Sequence, residues 1–128
     1  MTTEEGNKLI AIFMGWTSSK SSDAGILGGS IEYWRNPNDG HVGYSHPNRY
    51  NSDWNELMSV LGKIEKLACN VNIINNYCQI IKFSEGHSSE PEYQRTQTMA
   101  STKIENVWNA VIQFIQWYNE QKTKHETI

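Results

Sequence analysis

Beyond residue 102 the apolar side chains Ile104, Val107, Trp108, Val111, Ile112, Phe114, Ile115 and Tyr118 recur three and four residues apart. At the ~100° per residue of an α-helix they fall in one arc about 160° wide, the breadth of a helix docked on a core or sheet. Thr102 and Glu105 stand at capping-box spacing and mark its start, and the charged tail from Glu120 to Glu126 marks its fade into solvent. A second helical pattern runs from about Ser52 to Ala68. Trp54, Leu57, Met58, Leu61, Ile64 and Ala68 form its predicted inner face, Val60 and Leu67 widen it, and Ser52 or Asp53 caps it. A third covers residues 2–15, from the Thr2 and Glu5 pair to Gly15, with Leu9, Ile12, Phe13 and Trp16 on one side. Ile10 and Met14 broaden that surface, which predicts cover on two sides.

Strand-like runs lie between the helices. Val71–Ile74 and Cys78–Phe83 are apolar and β-branched, separated by Asn75, Asn76 and Tyr77, and predict a hairpin. Ile31–Trp34 predicts a short strand, Asn36–Gly40 a turn, and Val42–Tyr44 a return strand; Tyr93–Met99 predicts a weak third partner for the later hairpin. The run TSSKSSDAGILGGS over 17–30 has no periodicity and is read as a flexible loop, as is 84–92. No internal repeat is visible. The economical fold class is α+β: one domain over 1–128, with a small, mostly antiparallel sheet and three main helices packed on it.

Composition narrows the function classes. A chain of 128 residues, 38% hydrophobic and 20% charged, fits one ordinary globular core. The net charge is −3 and the 11 Lys and Arg are scattered, with guanidinium groups only at Arg35, Arg49 and Arg95. Duplex nucleic acid is therefore not an expected partner, whereas a small charged ligand needs only one or two local cations. Cys69 and Cys78 match no zinc or redox spacing and read as reduced, buried residues, the first closing a helix and the second opening a strand. No leader pattern, membrane-length apolar run or glycosylation acceptor is visible, so a cytoplasmic location and no membrane partner are expected.

The stretches NKLIAIFMGW, SDWNELMSVLGKIEKL with the apolar hairpin that follows, and KIENVWNAVIQFIQWYNE resemble the small phage and prophage proteins grouped as the phage ABA sandwich domain. Trp16, Trp54, Trp108 and the Trp117–Tyr118 pair carry the likeness most specifically. The resemblance implies a helix-sheet-helix sandwich, a mobile-element origin in a bacterial host, and no catalytic activity to carry over. Residues 17–30 and 84–99 are longer than that pattern and depart from it.

Candidate chemistry concentrates in one segment, where His41, Tyr44, His46, Arg49 and Tyr50 lie within ten residues. Aromatic faces beside one arginine suit a base or phosphate, so these five are the predicted ligand or partner contacts. Two histidines alone do not complete a zinc set, and no metal or other cofactor is expected. Gly25, Gly28 and Gly29 lack the Lys-Ser or Lys-Thr of a phosphate loop, and no nucleophile or paired-carboxylate motif marks an enzyme. Glu65 falls inside the apolar arc of the second helix, near its margin, and is read as exposed. Trp117 lies opposite Trp108 on the helical wheel; either it is an interface anchor or the helix end rolls or the 84–99 segment folds over it. The leading expectation is a non-enzymatic accessory protein, such as a counter-defence inhibitor, docking on a host protein or on its own copy as a homo-oligomer, most simply a dimer. The alternatives are a protein that sequesters a nucleotide-like signal and an enzyme whose site is unrecognised.

Overall fold

Thr2 stops the first helix from fraying. Its Oγ1 accepts the Glu5 N–H at 3.1 Å, and α1 runs Thr3–Phe13 with Glu4 and Glu5 in its first turn, where carboxylates suit the helix dipole. Its far end closes in a Schellman arrangement, with Trp16 N–H donating to the Ala11 carbonyl and Gly15 N–H to that of Ile12. Gly15 takes φ +101° there, and a Cβ at that position would meet Pro37 Cβ at 3.2 Å. The computed structural model describes residues 2–22, 30–43, 46–67, 69–74, 77–83, 91–97 and 102–126. Contacts divide the chain into two compact units, residues 1–48 and 49–128.

In the first unit α1 is followed by a three-stranded antiparallel meander of β1 (Thr17–Ser22), β2 (Ser30–Arg35) and β3 (Val42–Gly43). Residues 17–22 correct the expectation of a loop over 17–30. Their side chains carry no apolar signal, and the strand is held by backbone pairing with β2, Thr17 opposite Arg35 and Ser19 opposite Tyr33. The predicted turn after β2 is present: Gly40 N–H donates to the Asn36 carbonyl, Asn36 N–H to that of His41, and Gly40 has φ +73°. On α1 the buried residues are Gly6, Asn7, Ile10, Ala11 and Phe13, while Ile12 is exposed. The predicted face is thus turned. The helix is apolar on several sides, and small Gly6 with a hydrogen-bonded Asn7 decides which side goes in.

In the second unit Asp53 caps α2 (Trp54–Glu65), its Oδ1 accepting Asn55 N–H at 2.9 Å. Three antiparallel strands follow in the order β4 (Cys69–Ile74), β5 (Tyr77–Phe83), β6 (Pro91–Gln97), and then α3 (Lys103–Glu126). Cys69 therefore opens a strand rather than closing a helix, and Pro91 and Glu92 extend β6 into a segment read as loop. Cys69, Cys78, Ile80 and Tyr93 share the buried face of the sheet, on which α3 crosses β5 and β6 and α2 meets β4. Asn70, Asn72, Gln94 and Thr96, on the other face, are exposed.

Leu57, Val60, Leu61 and Ile64 form the inner face of α2, whereas Trp54 and Met58 lie outside it, 39% and 50% exposed. Glu65 is exposed, as read from the sequence. On α3 the buried set is Asn106, Val107, Ala110, Val111, Ile112, Phe114 and Ile115, and Trp108 is only half-buried. The inner face has rolled toward Ala110 and Trp117. Ala110 allows close approach there, and Tyr93 on β6 packs against Phe114 and Trp117 with ring centroids 5.4 and 5.1 Å away. Trp117 is accordingly half-buried under a residue of the 84–99 segment. The class is α+β, with antiparallel sheet and packed helices. Among the described residues no helix is long and apolar enough to cross a membrane.

Candidate functional site

Of the residues predicted to form one contact surface, His41 and His46 belong to the first unit and Arg49 and Tyr50 to the second. His41 is exposed at the end of the β2–β3 turn, its N–H donating to Asp39 Oδ1 at 2.8 Å. Tyr44 lies outside the described residues. Arg49 is exposed, and its carbonyl accepts the N–H groups of Ser52 and Asp53, turning the chain into α2. Tyr50 is a core residue, 3% exposed. Burial, reinforced by the Glu56 carboxylate, pushes its phenol up to about 12.

His46 is different. It lines a groove of about 580 Å3 in the first unit, and the other walls come from α1, β2 and Asn48. Its ring meets Trp34 edge-on at 4.9 Å, with the planes at 66°, and Trp34 is 2% exposed. His46 Nδ1 lies 2.8 Å from the Pro47 carbonyl. A carbonyl can only accept, so a hydrogen bond here places a proton on Nδ1. Across the groove Lys8 Nζ sits 3.4 Å from Glu32 Oε1 and 5.7 Å from the Trp34 ring centroid. One cation thus holds α1 to β2 through a carboxylate and an aromatic face. Asn7, 1% exposed, donates from Nδ2 to the Asn48 carbonyl at 3.0 Å and fixes the groove wall beyond α1.

Asn7, Lys8, Glu32 and Trp34 were missed in the sequence reading. A signal existed for two of them, because residues two apart on a strand share a face and put Glu32 beside Trp34. Asn7 and Lys8 carried no such mark, since only the packing of α1 brings them there. Thr3 and Glu4 complete the lining, which gives the groove two carboxylates, Glu4 and Glu32, against one ammonium. That balance favours neutral or cationic polar groups over polyphosphates. Volumes of about 300–1,000 Å3 are usual for small-molecule sites, and this groove falls in that range.

Trp117 borders a second cavity, of about 340 Å3, between β6 and α3 in the second unit. Arg95 crosses it, Nη1 donating to Gln113 Oε1 at 2.9 Å. Among the described residues no three His, Cys, Asp or Glu side chains converge in a manner that would hold a metal ion. In comparisons with known proteins, no family model, no curated protein and no solved structure matches the chain.

Proposed function

We propose that this chain is a non-enzymatic binding protein whose α1–β2 groove takes a small polar ligand of neutral or positive charge. The observation that carries the reading is the wall made by Lys8, Glu32, Trp34 and His46, in which the tryptophan is locked between a cation and an imidazole edge. A binding role is supported by how these groups are engaged. Asn7 is bonded to Asn48, Lys8 to Glu32 and His46 Nδ1 to Pro47, a set that gives orientation and no nucleophile–base pair. Of the nucleotide-like ligands expected from the sequence, the charge balance favours the nucleoside end. Thermal melting with adenosine, cytidine and ATP as probes tests this, because a ligand that binds only the folded state raises its stability by RT ln(1 + [L]/Kd). A saturable rise with a nucleoside that shrinks in His46→Ala and Lys8→Ala is the expected result. No rise with either nucleoside, or a larger one with ATP that Lys8→Ala removes, defeats it.

A second reading, docking on a protein, is favoured by Trp54 and Met58, exposed one turn apart on α2. Tryptophan and methionine are frequent anchors of interfaces. The same surface suits a homodimer or a host-protein target, and the likeness to the phage ABA sandwich domain would make such a protein a mobile-element product with a counter-defence role. Sedimentation of the chain and of Trp54→Ala decides the homodimer version: a dimer dissolved by the substitution supports it, and a monomer at tens of micromolar removes it.

A further inference from the structure

The opposite face of the β1–β3 sheet carries a different chemistry. Register puts Thr17, Arg35 and Val42 in one row across the three strands and Ser19 opposite Tyr33 in the row beside it. These residues line a cavity of about 380 Å3 whose lining holds no carboxylate among the described residues. Glu32, the acidic residue of β2, projects to the groove side, where it is paired with Lys8. Thr17, Ser19, Arg35 and Val42 are exposed, so the face is open.

We propose that this sheet face is an oxyanion site, in which the Arg35 guanidinium and the Thr17 and Ser19 hydroxyls hold the phosphate group of a small phosphomonoester. Directly opposed residues in an antiparallel pair stand about 5 Å apart and diagonal ones about 7–8 Å, a spacing that lets donors from two rows converge on one tetrahedral group. A guanidinium gives two parallel N–H donors and the hydroxyls give two more, and the three oxygens, tetrahedral shape and higher charge of a phosphate monoester suit donors that arrive from two rows better than a planar carboxylate does. Among the described residues Arg35 makes no ion pair, so its charge is available to a ligand. Tyr33, two residues from Arg35 on the same strand face, also lines the cavity and gives an aromatic flank for the organic part of the ester. The site is independent of the α1–β2 groove: it lies on the other sheet face and prefers the opposite charge.

Isothermal titration at low ionic strength with inorganic phosphate, phenyl phosphate and acetate tests the assignment on the full chain, on Arg35→Gln and on Lys8→Gln. Both phosphates are expected to bind saturably, and Arg35→Gln to weaken them at least ~tenfold because the charge-assisted bonds are lost. Free phosphate and the ester separate through Tyr33: phenyl phosphate binding tighter than phosphate assigns the site to esters, and equal affinity overturns the ester assignment. Lys8→Gln should leave phosphate binding unchanged, whatever it does to the groove. No saturable heat up to ~10 mM phosphate, the weak end of small-ligand recognition, overturns the proposal, as does acetate binding equally well or Arg35→Gln binding normally.

Discussion

Tyr93 and Phe114 meet at nearly a right angle, 83° between ring planes and 5.4 Å between centroids, and this edge-on contact joins β6 to α3. Phe114 is fully buried and Tyr93 is 6% exposed. The Tyr93 hydroxyl is buried with no hydrogen-bond partner among the described residues. Removing a buried hydroxyl that has no partner relieves a desolvation cost, so Tyr93→Phe should leave stability unchanged or raise it by up to about 1–3 kcal/mol. Phe114→Ala should cost about 3–5 kcal/mol, and half-buried Trp108→Ala less. Urea titration of the three variants measures all of this, and a large loss in Tyr93→Phe would show that the phenol is bonded.

Gly15→Ala should destabilise the protein by about 1–2 kcal/mol, the cost of an L side chain in the left-handed region. The approach of a new Cβ to Pro37 adds to it. Melting of the variant checks the size, and an unchanged midpoint would mean that the helix end relaxes out of its Schellman closure.

The two faces of α2 should respond differently. Leu61→Ala should cost about 2–5 kcal/mol as a cavity in the core. Asp53→Ala should cost about 1 kcal/mol by removing the cap, and Trp54→Ala and Met58→Ala should stay within about 0.5 kcal/mol on an exposed surface. Denaturant midpoints for the four variants give the comparison. A loss at Trp54 equal to that at Leu61 would return Trp54 to the core.

Stability should fall on the alkaline side. Burial pushes the thiols of Cys69 and Cys78 up from 9.0 to about 11, and the phenols of Tyr50 and Tyr93 up from 10.0 to about 12. As pH rises through 9 and 10 the unfolded chain releases these protons while the native state keeps them, so unfolding becomes progressively easier. Their contribution is complete below pH 9 and is lost by about 12. A melting temperature followed from pH 8 to 11 should drop above 9, and Cys78→Ala should flatten the first part of the decline. The same thiols should react slowly with a disulfide reagent at pH 8 in the native protein and quickly in urea.

Local chemistry was enough to place most elements. Thr2 and Thr102 at capping positions, Asn36–Gly40 as a turn, and the β-branched runs of β4 and β5 are short-range signals that hold whatever surrounds them. The helix faces were not so determined. Leu9, Ile10, Ile12, Phe13 and Met14 make α1 apolar nearly all round, and only tertiary packing chose Gly6, Asn7 and Ile10 for the interior and left Ile12 out. On α3 the neighbour that settles the roll is Tyr93, which no helical wheel contains. β1 was invisible for the same reason, because its stabilisation is backbone pairing to β2 and its serines carry no period. The groove was legible at His46 and, by strand alternation, at the Glu32 and Trp34 pair. Lys8 and Asn7 join them only through the approach of α1 to β2, a contact between residues 24 apart for Lys8 and Glu32 that no local pattern encodes.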